Sequence, residues 1–116
     1  MSSELKNKKC VPCEGIGSAF DLKEIHKYLK KVDGWDVKKN EKNSYYLEKK
    51  IKFKNFLAAK QFIDQVSDIS ESENHHPDIT FGWGYVLIKI YTHALEGLSE
   101  NDFILSAKID AIKIND

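Results

Sequence analysis

The sequence predicts an α+β fold, in which a four-stranded antiparallel sheet carries three helices on one face. Three segments with apolar residues at helical spacing lie near the start, in the middle and at the end of the chain. Between them lie two pairs of short alternating segments, each pair joined by a polar or glycine-containing turn, which indicates two hairpins. The predicted order is therefore helix, strand, strand, helix, strand, strand, helix, and hairpin connections make the sheet antiparallel.

The first half of the domain supplies one helix and one hairpin. Asp21 is a suitable N-cap for the first helix, and Gly34 is expected to stop it. The two strands are predicted over residues 35–39 and 45–53, with a polar turn between them. Alternation in the second strand places its larger apolar residues on one face.

The second helix follows Asn55, its expected cap, and ends in the polar stretch 70–74 before Pro77. The stripe that predicts it consists of Phe56, Ala59, Phe62, Ile63, Val66 and Ile69. Strands are predicted over 79–83 and 85–91, with Gly84 at the turn between them.

A last helix is predicted after Ser99, because residues 99–102 form a capping-box type of start. Its expected apolar positions are Phe103, Ile104, Ala107 and Ile112. The chain is predicted to contain one domain over residues 19–116, preceded by a loosely ordered leader over 1–18.

Composition excludes several classes of function. The 116 residues include 18 basic and 18 acidic side chains, so there is no basic excess of the kind that general nucleic-acid binders carry. No apolar run is long enough for a membrane span. The lysine-rich start has no hydrophobic segment after it, so we expect no secretory signal and a cytoplasmic location. A net charge of zero leaves little repulsion between copies, which favours self-association.

Three of the four histidines are expected to meet at one end of the second hairpin. His75 and His76 precede its first strand and His93 follows its second, so antiparallel pairing brings them together. Imidazole titrates near pH 6.5 and both gives and takes protons at neutral pH. The group therefore indicates acid–base catalysis or a metal site, whereas His26, alone in the first helix, is expected to have no role in the site.

Zinc is the alternative that these histidines leave open. Glu73 or Asp78 could complete a ligand set. Adjacent histidines such as His75 and His76 diverge in direction, however, and their spacing matches no standard metal motif. We therefore expect no metal.

Two further patterns have weaker functional interpretations. The CxxC motif Cys10–Val11–Pro12–Cys13 lacks the strand and helix context of a thioredoxin-type site and has no second CxxC with which to bind zinc. Seven lysines between residues 38 and 54, interleaved with aromatic residues, could form a single-strand nucleic-acid surface. A solvated hairpin whose edge is protected by lysine is the favoured interpretation.

One set of residues resembles a known signature. The spacing of Glu71, His75–His76–Pro77, Trp83, His93 and Asp102 is similar to that of the pterin-4a-carbinolamine dehydratases. Agreement extends to Cys10–Gly15, Gly34–Trp35, Thr92–His93 and Gly97–Leu98–Ser99, so the resemblance covers roughly residues 10 to 110.

The resemblance implies the same α+β fold, a pterin substrate, no cofactor, and assembly into a homodimer or homotetramer. It also implies which residues form the pterin pocket: Glu71, Asn74, His75, His76, Pro77, Asp78, Thr92, His93, Ala94 and Leu95. Asp102 and Trp83 are expected to support that pocket. Two positions differ from those of relatives. Many relatives have an aromatic residue where this chain has Ile79, and the best-known animal members have an acidic residue where it has Asn74.

The reaction implied by the resemblance is loss of water from a 4a-hydroxytetrahydropterin by general acid–base catalysis. His75 and His93 are expected to act as acids on opposite faces of the pterin, and His76 to orient the substrate or to act as the base. Glu71 is expected to bond the pterin or a histidine, and Asp102 to set the tautomer of His93. The alternative is a non-catalytic pterin-binding or protein-partner module on the same fold, resembling the transcriptional cofactors among animal relatives.

The resemblance leaves the physiological pathway open. The enzyme could recycle the pterin cofactor of an aromatic amino-acid hydroxylase, or it could serve another pterin pathway.

Overall fold

The computed structural model describes residues 5–11 and 18–114. Within these ranges the predicted order of elements is confirmed, and so is the α+β fold with a four-stranded antiparallel sheet. The helices are α1 (Leu22–Leu29), α2 (Phe56–Glu73) and α3 (Glu100–Asp110). The strands are β1 (Asp36–Lys39), β2 (Tyr45–Lys52), β3 (Asp78–Gly82) and β4 (Tyr85–Ile90).

The sheet has the strand order β1-β2-β4-β3, so β4 is the inner strand of the second hairpin and pairs with β2 of the first. Leu47 in β2 lies opposite Ile90 in β4, and Asp78 in β3 lies opposite Lys89. Alternate residues of β4 are fully buried, namely Val86, Ile88 and Ile90. This alternation turns one face of the sheet toward the helices. The segments that follow α2 and β4 line the same cleft.

The predicted helix starts are confirmed by their caps. The Asp21 side chain accepts a hydrogen bond from the Glu24 backbone at the start of α1, and Asn55 does the same for Ala58 at the start of α2. Ser99 caps α3 in a capping box with Asp102. Each cap satisfies backbone N–H groups that the first helical turn leaves without a partner.

The helix ends differ from the predictions. α1 ends at Leu29, five residues before Gly34. After it, backbone hydrogen bonds join residues three apart instead of four, and Gly34 takes a φ of 78°. α2 continues through the polar stretch as far as Glu73, where the buried Ser70 hydroxyl donates to the Val66 carbonyl. α3 ends at Asp110, so Ile112 packs against the core from beyond the helix.

Part of the expected leader packs on the domain. Leu5 is buried in the hydrophobic core, and the Lys6 carbonyl accepts a hydrogen bond from the Lys108 ammonium of α3. Residues 1–4 and 12–17 of the leader, including Cys13, lie outside the described residues.

Candidate active site

A cleft of about 590 Å³ brings His75, His76 and His93 together. It lies where the end of α2, the segment after β4 and the start of α3 meet. The other residues that line it are Cys10, Val11, Ser72, Glu73, Asn74, Tyr91, Thr92, Ala94 and Asn101. The size is within the usual range for a small-molecule pocket.

His75 is held by a buried carboxylate. α2 is followed by its C-cap Asn74, which takes the left-handed conformation (φ 52°, ψ 41°) and turns the chain out of the helix. The His75 Nε2 atom then lies 2.7 Å from Asp102 Oδ1. The His75 side chain is 12% exposed and that of Asp102 is fully buried, so solvent screens their interaction little.

Asp102 is fixed by hydrogen bonds to both of its carboxylate oxygens. Oδ2 accepts from the Thr92 hydroxyl and from the Ser99 backbone N–H, each at 2.8 Å, while Oδ1 faces His75. An ionised carboxylate only accepts hydrogen bonds, so the proton of neutral His75 belongs on Nε2. Nδ1 is then the nitrogen with a free lone pair, and among the described residues it has no partner.

The expectation that Asp102 sets the tautomer of His93 is wrong, because Asp102 contacts His75. Thr92 directs its side chain inward to Asp102, and the next residue begins a 3₁₀ turn at His93–Leu95. His93 is exposed, and its ring packs on Tyr91 with the ring centroids 4.2 Å apart.

His76 is paired with an exposed carboxylate. Its Nε2 atom lies 2.5 Å from Glu71 Oε2, and the two side chains are 52% and 78% exposed. Glu71 was expected to bond either the pterin or a histidine, and it contacts a histidine. Because both groups reach water, this pair orients His76 far less firmly than the buried carboxylate orients His75.

The remaining predicted site residues fall into two groups. Asn74, Thr92 and Ala94 line the cleft, while Pro77, Asp78 and Leu95 flank it without being among the lining residues. Trp83 lies in the β3–β4 turn, at the opposite end of the hairpin from the histidines, and is 71% exposed. Within one chain Trp83 is therefore separated from the cleft.

Several residues of the cleft wall were not predicted to line a pterin pocket, namely Cys10, Val11, Ser72, Glu73, Tyr91 and Asn101, and Glu73 was considered only as a zinc ligand. Tyr91 was visible as the end of the alternating run, and Asn101 as the neighbour of a capping-box residue. Nothing in the sequence indicated that the leader packs against the start of α3.

The Cys10 thiol is kept neutral by its surroundings. Burial, together with the nearby carboxylates of Glu73 and Asp102, raises its pKa to about 12. A neutral thiol is neither a good nucleophile nor a metal ligand. Among residues 5–11 and 18–114, no group of three or more histidine, cysteine, aspartate or glutamate side chains is arranged to hold a metal ion.

Comparison with known proteins identifies the family. The model of the family "Pterin 4 alpha carbinolamine dehydratase" matches residues 18–112. The chain belongs to this family. A pterin-4-alpha-carbinolamine dehydratase of Arabidopsis thaliana, named as mitochondrial, is 42% identical over 116 residues, covering 98% of this chain and 62% of the plant protein. A protein of Halorhodospira halophila that bears the dehydratase name provisionally is 42% identical over 108 residues, or 93% of this chain and 96% of its own.

Solved structures of pterin dehydratase relatives share the fold. A protein of Brucella melitensis described as a transcriptional coactivator/pterin dehydratase aligns with a TM-score of 0.72 at 26% identity, covering 81% of this chain and 97% of that one. A pterin dehydratase-like protein described as a RuBisCO assembly factor in the alpha-carboxysome aligns with a TM-score of 0.57, also at 26% identity, over 67% of this chain and 87% of its own. The dehydratase fold thus occurs in proteins described by roles other than catalysis.

Proposed function

We propose that this protein removes water from a 4a-hydroxytetrahydropterin, giving the quinonoid dihydropterin, by histidine general acid–base catalysis. The observation that carries the proposal is the contact between His75 Nε2 and the buried Asp102 carboxylate, 2.7 Å apart, in a cleft that also contains His76 and His93. Membership of the pterin carbinolamine dehydratase family supplies the substrate class.

The reaction needs two proton transfers and no change of oxidation state. The carbon–oxygen bond at the ring junction breaks with its electron pair, and a proton delivered to that oxygen lets it leave as water. A ring nitrogen loses its proton, and its electron pair forms the new double bond to the ring-junction carbon. Positioned general acids and bases contribute roughly 10²–10⁴-fold each to such steps.

The three histidines come from two parts of the chain, which suits a flat substrate. His75 and His76 follow the end of α2, and His93 follows the end of β4. We propose that His75 and His93 protonate the hydroxyl from opposite faces of the pterin, so that one cleft serves both stereoisomers. His76, held only by an exposed carboxylate, would orient the ring or accept the nitrogen proton.

A non-catalytic role on the same fold is the second candidate, and the description of the carboxysome relative as an assembly factor favours considering it. A protein-binding scaffold has no use for a histidine whose proton is fixed by a fully buried carboxylate. The capping box of α3 uses only Oδ2 of Asp102, so helix capping does not account for the contact of Oδ1 with His75, and this contact favours the enzyme.

The test is dehydration of the two separate stereoisomers by single variants, followed in a stopped-flow instrument. We expect His75→Ala to slow one isomer and His93→Ala the other, each by about 10²-fold or more. His76→Ala should mainly raise KM. If all three variants dehydrate both isomers at the wild-type rate, the proposal is wrong.

His26→Ala is the matched control, because His26 lies exposed on α1 and away from the cleft. Its rates should equal those of the wild type. The same assays in excess chelator should give unchanged rates, and activity that chelator abolishes and zinc restores would contradict a metal-free mechanism.

We also propose the cytoplasm as the compartment. Among the described helices, none is both long and apolar enough to span a bilayer.

We propose an aromatic amino-acid hydroxylase as one source of the substrate, because such an enzyme would release the hydrated pterin. Deleting a hydroxylase encoded in the same genome should then remove the need for this protein.

A further inference from the structure

The described part of the leader contacts the candidate active site directly. The Cys10 backbone N–H donates to Glu73 Oε1 at 2.8 Å, and Glu73 is the last residue of α2. Val11 is held by Asn101 of α3 at both ends, since its N–H donates to Asn101 Oδ1 at 3.0 Å and its carbonyl accepts from Asn101 Nδ2 at 2.7 Å. Cys10 and Val11 both line the histidine cleft.

The groups that hold the leader are themselves buried. Asn101 is 5% exposed, and the Glu73 side chain is 8% exposed. The Lys108 ammonium lies 3.6 Å from Glu73 and offsets its charge. The hydrogen bonds are part-buried and end on these buried side chains, so water does not readily replace them and the segment has a defined position.

Neighbouring residues of α3 hold the leader and a histidine. Asn101 holds Val11, and Asp102, the next residue, holds His75. On α2, Glu73 holds Cys10 two residues before His75 begins the histidine pair. The two helix ends that position His75 therefore also set its distance from the leader.

From this geometry we propose that Cys10 and Val11 form a wall of the pterin cleft, and that Asn101 and Glu73 are positioning residues that hold this wall against the substrate. The proposal rests on the proposed dehydratase function. It assigns to the first half of the CxxC motif a role in substrate binding. The neutral Cys10 thiol, which donates to the Asn101 carbonyl at 3.5 Å, suits contact with an uncharged heterocycle.

Four variants test the proposal. Asn101→Ala and Glu73→Ala remove the contacts that hold the wall, whereas Glu73→Gln keeps an acceptor for the Cys10 N–H. Val11→Phe places a larger side chain at a position that lines the cleft and removes none of these hydrogen bonds, because Val11 is held through its backbone N–H and carbonyl. The matched control is Asp68→Ala, an exposed acidic residue of α2 that does not line the cleft.

KM and kcat for dehydration are measured together with the Kd for an oxidised, unreactive pterin, read by its fluorescence. We expect Asn101→Ala, Glu73→Ala and Val11→Phe to raise KM and Kd by about tenfold, or ~1.4 kcal/mol. Their kcat should stay within about twofold of the wild type, since binding and not proton transfer is changed. Glu73→Gln should recover the binding that Glu73→Ala loses, and the control Asp68→Ala should bind the pterin like the wild type.

Urea unfolding midpoints of the variants distinguish a role in binding the pterin from a role in stability alone. Val11→Phe should retain the wild-type midpoint, so its KM remains informative even if an alanine variant folds poorly. If the wild type dehydrates the pterin and Val11→Phe has an unchanged KM and Kd, the inference is overturned while the proposed function stands. Failure of the wild type to bind or dehydrate any pterin would overturn both.

Discussion

Asp102 connects three separate parts of the site through its two carboxylate oxygens. Oδ1 holds His75 from the turn after α2, and Oδ2 holds Thr92 from the end of β4 and the backbone of Ser99. The same residue closes the capping box of α3. One side chain therefore fixes a helix start and a candidate catalytic histidine together.

Asp102→Asn should change the tautomer of His75 while retaining the shape of the site. The Thr92 hydroxyl and the Ser99 N–H require an oxygen, so the amide nitrogen of the variant would face His75 Nε2. Nε2 must then accept, and the imidazole proton moves to Nδ1. We expect kcat to fall by about 10²-fold or more, with the tautomer change visible in ¹⁵N spectra of the imidazole.

The matched control is Asp110→Asn at the other end of α3. Asp110 accepts from the Trp35 indole and from the Lys49 ammonium, each at 2.9 Å, and lies away from the cleft. This variant should lower the free energy of unfolding by about 1 kcal/mol and leave kcat unchanged. An equal loss of kcat in the two variants would contradict a specific role for Asp102.

Cys10 should react slowly with alkylating reagents in the folded protein. Its pKa of about 12 means that at pH 8 the folded thiol is almost entirely protonated, and only the thiolate reacts. In a Cys13→Ser background, we expect iodoacetamide to modify folded Cys10 ~10²-fold or more slowly than the urea-unfolded chain.

The sign of the stability effect follows from the raised pKa of Cys10. Below pH 9, the ordinary value, the thiol is neutral in both states, and between pH 9 and about 12 only the unfolded chain ionises. Stability should therefore fall across that range. The Cys10→Ser variant should lose part of this pH dependence of the free energy of unfolding. In the alkylation experiment, a folded Cys10 that reacted at the rate of a free cysteine would contradict the buried setting of its thiol.

At the scale of elements, the end of α2 determines where the histidine pair lies. The helix is capped by Asn74, whose left-handed conformation lets the backbone N–H groups of Asn74 and His75 donate to carbonyls of the last turn. Asparagine tolerates this conformation better than most residues. Pro77, two residues after His75, disfavours any helical continuation of the histidine pair.

Comparing Asn74→Gly with Asn74→Ala isolates this backbone effect, because both variants lose the amide side chain. The alanine variant should unfold at lower urea concentration, by about 1 kcal/mol or more relative to glycine, since glycine alone has no Cβ penalty at φ 52°. Its kcat should also be the lower of the two, because a displaced helix end moves His75. Equal stabilities would show that the cap conformation is not what the position requires.

At the scale of the whole molecule, the surface and the charge lead us to predict self-association. The sheet has two edge strands, β1 and β3, and the chain has no net charge to keep copies apart. Large apolar side chains are also exposed, including Leu57 at 60% and Trp83 at 71%. Such exposed apolar groups are typical of surfaces that copies bury on assembly.

We therefore predict a homodimer or homotetramer with an interface in the usual range of ~1,200–2,000 Å² for each contact. Light scattering over a dilution series should give a multiple of the chain mass at micromolar concentration and at physiological salt. A constant monomer mass across that series would contradict the prediction.

The elements of this fold follow from local patterns in the sequence. The alternation of β4 and the caps at Asp21, Asn55 and Ser99 depend on residues within a few positions of one another, so helix starts and the order of elements along the chain were predictable. Helix ends were predicted less well, because the end of α1 and the continuation of α2 through Ser70 depend on packing against the rest of the domain.

The meeting of the three histidines was also predictable, since one hairpin brings the residues before and after it together. Only the tertiary structure decided that Asp102 serves His75, and that Asn101 brings the leader to the cleft. It likewise decided that Lys49, one of the lysines in the basic stretch, pairs with Asp110 inside the domain. These contacts join residues 27, 90 and 61 positions apart, and the packing of whole elements, which no local pattern encodes, determines them.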